Sequence, residues 1–400
     1  MKILWIGKHA NDEIFKEMAK KGYKDPAAQL SQDNLISALD RMGIAVDTIN
    51  AFNVPSDYYD IYVMPQKWSR TGSSTDVSVG YTNIKYFSHV LITKALRKEI
   101  KVWAQKNNDE KVIIIVYGMQ SSLMSAAILA KKLIPNSKVI QIVPDLPQHM
   151  DTNMSFIKKV LKEIDWIGIK SLMNSIDGFV LYTKHMANFL GLAPSEWMLM
   201  EGSINQDDIK NYKSKEKNLE RTIVMYSGKI DKKFGVIELL EATKLISEPN
   251  FEFWFTGHGN AIDILENYIK YDSRIKYLGF LPTRDDLLEK QSEATMLMNM
   301  RLPTEYGSSY CFPSKIFEYM ASGTPVLSFK VDGIPDEYYE YLIEMKSTNP
   351  MDIAEKIKET GRLSPEERRN IGQKSKEFVR EKKNSFVQAN KVLDFISKFS

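Results

Sequence analysis

The chain has 400 residues, of which 43% are apolar and 26% charged, and its formal net charge is only +3. This length exceeds one ordinary compact core, so we expect two α/β domains. The small net charge gives no signature of a polyanion-binding protein. Cys311 is the single cysteine, which excludes an internal disulfide and a cysteine-based zinc site and favours a reducing compartment.

Short apolar runs alternate with helix-period segments along most of the chain, a pattern typical of βαβ units and parallel sheets. In the first half the predicted strands are Ile3–Gly7, Ala45–Ile49, Ile61–Met64, Val112–Tyr117, Val139–Val143 and Gly178–Tyr182. The first strand starts at once, unlike a signal peptide, and no apolar run reaches the ~20 residues of a membrane-spanning helix. We therefore expect a cytoplasmic protein that meets a membrane only at its surface.

A polar stretch from Asn205 to Arg221 predicts a linker between two domains. The strands predicted after it are Thr222–Tyr226, Glu252–Phe255, Ile275–Leu278, Thr295–Asn299 and Pro325–Phe329. The helices predicted between them are Val236–Ile246, Ile262–Ile269, Asp285–Gln291 and Pro313–Ser322, and a charged helical tail follows Pro350. Ligands of such sheets bind at the carboxyl ends of the strands.

The segment Arg301–Gly323 carries the clearest chemistry. Pro313 suits the first position of a helix, and Gly323 suits its end. Lys315 then lies in the first turn, where the interaction of a cation with the helix dipole is unfavourable. An anion bound at the same place would offset this cost. The first-turn N–H groups together with Lys315 predict a diphosphate site. The alternative is an ordinary surface helix whose charges are solvated.

Two further side chains belong to this helix. Ser314 and Glu318 are four residues apart and therefore share one face. A carboxylate one turn inside an anion-binding helix end is well placed to accept hydrogen bonds from a ribose diol, which makes Glu318 a candidate for that role.

The stretch from Phe312 to Leu327, FPSKIFEYMASGTPVL, resembles the donor-site segment of family-four retaining glycosyltransferases of the GT-B fold, most closely the bacterial capsule and exopolysaccharide members. The resemblance implies an α/β protein of two Rossmann-like domains whose parallel sheets face a cleft. It implies an acceptor-side domain at 1–205, a nucleotide-sugar domain at 206–375, and a C-terminal helix at 376–400 that packs back on the first domain.

Other segments match the family in the same order, namely Tyr226–Lys229, Phe234–Val236, Phe255–Gly259 and Tyr277–Pro282. Family members often have an arginine and a lysine on the donor phosphates. Lys229 stands at the place of the arginine, while Phe234 stands at that of the lysine, so Lys232 or Lys233 would substitute. The donor-binding set includes Gly7, Lys229, Lys233, Gly257, Arg301, Tyr310, Phe312, Ser314, Lys315 and Glu318. For Gly7, which ends the first strand, a plain turn is the simpler interpretation.

One position departs from the family pattern. The family motif is Glu, seven residues, Glu, and Tyr310 stands where the first glutamate is expected to face the donor sugar. Glu305 is near but out of register, and Arg301 recurs in similar bacterial members and is expected to help. The departure keeps open a catalytically weak GT-B protein that binds a glycan or a partner transferase. A sugar-nucleotide epimerase fits less well.

The acceptor side is predicted after the strand Val139–Val143. In relatives an acidic or histidine residue at this place faces the acceptor or the transferred sugar. Asp145 is our first choice there and His149 the second, and Asp145 joins Lys315 and Glu318 as the expected catalytic set. The alternative is a loop stiffened by proline with a capping aspartate.

Two basic amphipathic segments, 157–170 and 94–103, resemble helices that rest on anionic lipid. A helix whose apolar face lies on its own core explains either pattern too. For residues 94–103 we favour packing of the apolar face on the protein's own core. For residues 157–170 both interpretations stay open.

The chain has no Asp-x-Asp pair and its five histidines lack ligand spacing, so we expect no metal and no cofactor besides the donor. It also lacks a P-loop and a full dinucleotide fingerprint. The resemblance predicts a hexosyltransferase that acts with retention on a nucleoside-diphosphate sugar. It implies a glycan or lipid-linked acceptor in cell-surface polysaccharide synthesis, and no nucleic-acid partner is expected.

Overall fold

The computed structural model describes residues 1–20, 26–54, 62–107, 111–149, 155–207, 220–281, 283–304 and 307–399. They form two compact units, of which the first joins Met1–Ser203 to Ser385–Ser400 and the second is Ile204–Asn384. Both units are α/β with mainly parallel sheets, as the alternation of apolar runs and helix-period segments predicts.

The strands of the first unit are β1 (Lys2–Gly7), β2 (Ala45–Asn50), β3 (Tyr62–Val63), β4 (Gln66–Trp68), β5 (Asp76–Ser78), β6 (Tyr81–Thr82), β7 (Val112–Tyr117), β8 (Lys138–Val143), β9 (Gly178–Leu181) and β10 (Trp197–Leu199). Within the described residues the main sheet has the order β10-β9-β8-β7-β1-β2-β5-β4. Neighbouring strands of this sheet are parallel, except that β4 and β5 are antiparallel. Strands β3 and β6 form a separate antiparallel pair. The central strand β7 is apolar and buried along its whole length, as expected when helices cover both faces.

The helices of this unit are α1 (Asp12–Lys20), α2 (Pro26–Arg41), α3 (Ser88–Lys106), α4 (Ser121–Leu133), α5 (Phe156–Met173) and α6 (His185–Leu190). Helix α4 packs between α3 and α5. Among the residues described, no helix combines the length and the apolar character needed to cross a membrane.

The second unit has the strands β11 (Thr222–Ser227), β12 (Phe251–Thr256), β13 (Ile275–Tyr277), β14 (Met296–Asn299), β15 (Val326–Phe329) and β16 (Ile343–Met345). In the described part of the unit these pair in parallel in the order β13-β12-β11-β14-β15-β16. The chain moves outward from β11 to β13 and then returns to the other side of β11 to form β14.

The later helices are α7 (Val236–Thr243), α8 (Ile262–Tyr271), α9 (Arg284–Glu293), α10 (Lys315–Ala321), α11 (Pro350–Arg362), α12 (Pro365–Lys382) and α13 (Ser385–Ser397). Side chains cap several of them. Thr283 accepts the Asp286 N–H at the start of α9, and Ser364 accepts the Glu367 N–H at the start of α12. Such caps satisfy N–H groups that have no partner inside the helix. The last helix, α13, packs against α2 and belongs to the first unit.

The start of one predicted helix differs from the structure. Helix α10 begins at Lys315 and not at Pro313, because Ser314 is its N-cap and the Pro313 carbonyl closes only a tight turn to the Ile316 N–H. The predicted boundary at 375/376 falls inside α12, whose Gly372 packs against the backbone of Gly323 in the second unit. Of the predicted linker, residues 208–219 lie outside the described residues.

Candidate functional site

The candidate site lies at the carboxyl ends of β11 and β14. These neighbouring strands are the point at which the second sheet reverses its order, because β12 follows on one side of β11 and β14 returns on the other. At such a point the loops after the two strands diverge, and open parallel sheets bind their ligands there. Lys229 lies in the loop after β11, and Arg301 lies in the loop after β14.

Tyr319 fastens α10 to the end of β11. Its hydroxyl accepts the Ser227 backbone N–H at 2.9 Å and donates to the Ser227 carbonyl oxygen at 2.8 Å. Burial raises the pKa of the Tyr319 phenol to about 12, so the hydroxyl keeps its proton for the second bond. Gln291 donates to the Ser227 hydroxyl at 3.1 Å. These bonds fix α10 beside the strand end.

Lys315 reaches across this junction. Its Nζ lies 4.4 Å from the ring centroid of Tyr226, within the range of a cation–π contact. Tyr226 is buried in β11 and donates its hydroxyl to the Lys229 carbonyl oxygen at 2.7 Å. A Cβ on Gly228 would lie 3.3 Å from the Lys315 Nζ. The glycine therefore leaves the space that the ammonium group occupies.

Two glycine-containing loops pack backbone to backbone at this end of the sheet. Gly257 has a φ of 133°, and a Cβ there would lie 1.8 Å from the Gly228 carbonyl oxygen. A Cβ on Gly259 would lie 2.0 Å from the Ile230 carbonyl oxygen. The predicted donor residue Gly257 thus has a packing reason to be glycine, since no side chain fits between the loops after β11 and β12.

The cations of the two loops both lie near the aromatic ring of Phe234. The Lys229 Nζ lies 5.8 Å from its centroid, and the Arg301 guanidinium carbon lies 5.2 Å from it. Lys229 also pairs with Asp231 at 3.6 Å. Gly235, with a φ of 68°, lets the turn approach Met300, because a Cβ there would lie 2.4 Å from the Met300 carbonyl oxygen. Lys229, Arg301 and Lys315 therefore all border the ends of β11 and β14.

The remaining basic candidate of this turn is Lys233. Its side chain is exposed, and its backbone N–H donates to the Asp231 carboxylate at 3.1 Å. The same carboxylate thus organises the segment that carries both Lys229 and Lys233.

Ser314 is the N-cap of α10, and Glu318 lies in the first turn of the helix. Ser314 is exposed and its side chain makes no capping hydrogen bond to the helix. Glu318 is half-buried one turn further on. Burial is the main cause of the raised pKa of Tyr319, the bonds to Ser227 lower that pKa, and the neighbouring Glu318 charge adds to the rise.

The segment that precedes α10 combines a packing residue with a loop residue. The Phe312 side chain is buried, with ring centroids 5.0 Å from Phe317 and 5.4 Å from Tyr338. A ligand would therefore meet the backbone of Phe312 and not its ring. Tyr310 ends a short 3-10 turn and is half-buried. Glu305 lies outside the described residues.

Asp145 belongs to the first unit, directly after β8. Two tyrosines at the neighbouring strand ends, Tyr117 and Tyr182, have raised pKa values. Burial is the largest cause, and the Asp145 charge adds to it in both cases. Tyr182 forms a short hydrogen bond with Ser31. Asp145 thus stands beside a buried group of hydroxyls, which the sequence did not indicate.

His149 lies in a short 3-10 turn after Asp145. Its ring meets Phe189 edge-on at 5.3 Å, and Phe189 in turn lies 5.8 Å from Trp166 of α5. Burial and the nearby Lys162 charge lower the pKa of His149 below its usual value. The imidazole is therefore neutral at neutral pH.

Gly7 also belongs to the first unit and has a structural reason to be glycine. A Cβ at this position would lie 2.2 Å from the Gln32 Oε1 of α2. That oxygen accepts the Lys8 backbone N–H at 3.0 Å and the Trp5 indole N–H at 3.1 Å. The role of Gly7 toward a ligand stays a prediction.

The structure brings one group of candidates together and adds three residues to it. In the second unit Lys229, Arg301 and Lys315 converge, whereas Gly7, Asp145 and His149 lie in the first unit. Sequence reasoning named Tyr226 and Gly228 only within a matching segment and passed over Tyr319. Tyr226 contacts the Lys315 ammonium, Gly228 leaves room for it, and Tyr319 ties α10 to the end of β11. Within the described ranges, no group of three or more His, Cys, Asp or Glu side chains could hold a metal ion. A metal-independent site stays a prediction.

Residues 221–361 match the family model described as glycosyl transferases group 1. This range contains β11 to β16 and the whole of the candidate site in the second unit. No curated protein sequence matches the chain.

Solved structures resemble the whole chain. HepE from Anabaena, crystallised with UDP, aligns with a TM-score of 0.61 at 12% identity and covers 100% of both chains. The sucrose-phosphate synthase of Thermosynechococcus elongatus has a TM-score of 0.66 at 14% identity, over 100% of this chain and 99% of its own. A UDP-forming α,α-trehalose-phosphate synthase from Burkholderia xenovorans, in complex with glucose-6-phosphate, has a TM-score of 0.65 at 11% identity, over 99% of this chain and 100% of its own. The chain therefore has the GT-B fold of two Rossmann-like units, and its residues 221–361 carry the sequence pattern of glycosyl transferases group 1.

Proposed function

We propose that this chain is a retaining glycosyltransferase that moves a hexosyl unit from a nucleoside-diphosphate sugar to a glycan or lipid-linked acceptor in cell-surface polysaccharide synthesis. The observation that carries the proposal is the convergence of Lys229, Arg301 and Lys315 at the ends of β11 and β14. Three cations at the switch point of a parallel sheet suit a diphosphate.

These cations would act on the leaving group. When the bond between the sugar and the diphosphate of the donor breaks, negative charge develops on the diphosphate. Fixed cations stabilise that charge without reorganising. Tyr226 contacts the Lys315 ammonium through its ring, and Gly228 leaves room for that ammonium. The exposed Ser314 hydroxyl, which does not cap its own helix, supports a further contact to a phosphate oxygen. No metal is needed in this scheme.

Glu318 would bind the donor ribose, since its half-buried carboxylate lies one turn from Ser314 and can accept hydrogen bonds from a diol. In the first unit, Asp145 would face the transferred sugar or the acceptor, with His149 beside it as a neutral group. Burial keeps the hydroxyls of Tyr117 and Tyr182 protonated, so Asp145 would act beside two neutral phenols.

The solved relatives support the choice of probes. HepE was crystallised with UDP, and a trehalose-phosphate synthase was crystallised with glucose-6-phosphate. Uridine diphosphate is therefore the first nucleotide to test for binding, and UDP-hexoses are the first donors. Phosphorylated sugars join glycans and lipid-linked sugars as acceptors. We propose that the reaction takes place in the cytoplasm, at the inner face of the cell membrane.

The test is calorimetric titration of the full chain with UDP, GDP and ADP, with and without EDTA. We expect one diphosphate to bind independently of EDTA. Lys315→Met should weaken this binding about 10- to 100-fold, the usual value of a charge-assisted contact. Lys270→Met, at an exposed α8 position of the same unit, is the matched control and should bind normally. No binding of any nucleotide, or normal binding by Lys315→Met, would refute the proposed donor site.

A second candidate function is favoured by Tyr310, which stands where the family places a glutamate facing the donor sugar. The chain would then bind a nucleotide or glycan and serve a partner transferase without turning over a donor itself. Release of free diphosphate from a nucleotide sugar, measured with and without acceptors, separates the two functions. Binding without turnover would support this second function.

A further inference from the structure

Helix α5 turns its apolar side chains to the solvent. Its buried residues are Trp166 and Ile169, which face the rest of the first unit. Six other large apolar side chains of α5 are exposed, namely Phe156, Ile157, Val160, Leu161, Ile164 and Ile167. Phe156 is 80% exposed and Ile167 is 67% exposed. Packing on its own core, one of the two interpretations left open by the sequence, therefore does not account for these residues.

The start of α3 extends this surface. The His89 imidazole Nε2 lies 2.9 Å from the Ser121 hydroxyl and 3.3 Å from the Asp165 carboxylate. These contacts fix the first turn of α3 beside the middle of α5. Around His89 the chain exposes another set of apolar side chains, namely Ile84, Tyr86, Phe87 and Val90. Exposed apolar patches of this kind on a folded protein mark interaction sites. By contrast, the later part of α3 buries Leu96, Ile100 and Trp103, as the sequence favoured for 94–103.

The charge of this region is positive. Helix α5 carries Lys158, Lys159, Lys162 and Lys170. Its acidic residues are Glu163 and Asp165, and Asp165 is engaged by His89 and Ser121. The long alkyl stems of lysine can lie along apolar surface while the ammonium group reaches outward. The surface thus combines apolar contact groups with flanking cations.

We propose that the α5 surface, defined as the exposed apolar side chains of α5 and of residues 84–90 with the α5 lysines, docks on the anionic surface of a lipid membrane. Apolar groups at this density enter the boundary between headgroups and acyl chains, and the lysines meet the anionic headgroups. A second copy of the chain fits less well, because a two-fold contact would bring the same lysine-rich patch against itself. The proposal does not depend on the glycosyltransferase reaction.

The experiment is sedimentation of the full chain with vesicles, in the absence of nucleotide and sugar. We expect binding to vesicles of phosphatidylcholine with added phosphatidylglycerol and much weaker binding to phosphatidylcholine alone. Binding should decrease as salt is raised, since screening weakens the attraction between lysines and headgroups. Each lysine contributes about 5-fold to affinity for an anionic surface, so Lys158→Gln together with Lys159→Gln should cost about 25-fold.

The apolar contribution is tested with Phe156→Ser combined with Ile164→Ser. These side chains are exposed, so the fold should be kept, and vesicle affinity should fall at least about 10-fold. Tyr271→Ser with Met351→Ser, which changes equally exposed apolar residues of the second unit, should bind like the original chain.

Three outcomes would overturn the proposal. The first is the same low affinity of the full chain for anionic and neutral vesicles, and the second is full binding by the Phe156→Ser, Ile164→Ser variant. The third is a concentration-dependent dimer, seen by sedimentation velocity and lost in that variant, without vesicle binding, which would assign the surface to a second copy. Because no nucleotide is present, each of these results leaves the proposed donor site to be judged by its own titration.

Discussion

Single tyrosine hydroxyls hold the loops of this protein to its strand ends. Tyr319 binds both backbone groups of Ser227, and Tyr226 donates to the Lys229 carbonyl oxygen. Tyr277 donates to the Gly257 carbonyl oxygen at 2.8 Å. Sequence reasoning selected Lys315 and Glu318 because charge and spacing carry information about phosphate and ribose. It passed over Tyr319, since a tyrosine in an apolar helix face gives no local sign of the backbone group it will meet.

Replacing Tyr319 by phenylalanine tests this role. The change leaves the buried backbone N–H and carbonyl of Ser227 without their partner, so we expect a loss of about 1–3 kcal/mol in the free energy of unfolding. Urea denaturation of the full chain, followed by tyrosine and tryptophan fluorescence, measures it. Tyr271→Phe is the matched control, because Tyr271 is 91% exposed and should tolerate the change. Equal midpoints for the two variants would contradict the anchoring role.

The same substitution has a pH signature. Burial raises the pKa of Tyr319 to about 12, above its ordinary value of 10.0 in the unfolded chain. The contribution of the neutral phenol is fully present below pH 10 and is lost as the pH rises toward 12, at up to about 1.4 kcal/mol per pH unit. Tyr319→Phe should therefore show a shallower loss of stability than the original chain across this range.

At the scale of elements, the sequence predicted the long buried strands well and missed several of the short ones. Strands such as β7 and β11 are continuous apolar runs buried on both faces, which a sequence pattern shows directly. Strands β4, β5 and β16 have three residues each, too few to display an alternation of period two. The orientation of α5 was also beyond the sequence, because only its packing against α4 decides which face meets solvent.

The loops after β11 and β12 pack so closely that we expect a side chain at Gly257 to destabilise the protein. Gly257→Ala would drive a Cβ into the Gly228 carbonyl oxygen, so one of the two loops must move. Gly279→Ala is the matched control, since Gly279 also has a positive φ, of 70°, but a Cβ there would meet nothing within 4 Å. We expect the control to lose about 1–2 kcal/mol from backbone strain alone. Gly257→Ala should lose more and should also weaken nucleotide binding, as measured by denaturation and titration. Equal losses would show that the backbone contact does not matter.

At the scale of the whole molecule, the first unit is built from two separate segments of the chain, Met1–Ser203 and Ser385–Ser400. Helix α13 follows the second unit and returns to pack on α2, and its residues Val392, Phe395 and Ile396 are buried. In β9 a Cβ on Gly178 would lie 2.8 Å from the Phe395 ring, so the glycine makes room for the aromatic side chain. The first unit is therefore completed only by residues 385–400, whereas the second unit is continuous in sequence.

This organisation predicts that a core change in α13 affects one unit and spares the other. Phe395→Ala removes a buried ring from the first unit, and truncations of this kind cost about 3–5 kcal/mol. We expect calorimetric unfolding to show the first unit melting at a lower temperature, while the second unit still binds the diphosphate with unchanged affinity below that transition. Phe156→Ala, at an exposed position of the same unit, should change the free energy of unfolding of that unit by less than about 0.5 kcal/mol. Loss of diphosphate binding in Phe395→Ala below its melting temperature would mean that the second unit depends on α13 for its own site, which its separate sheet and core argue against.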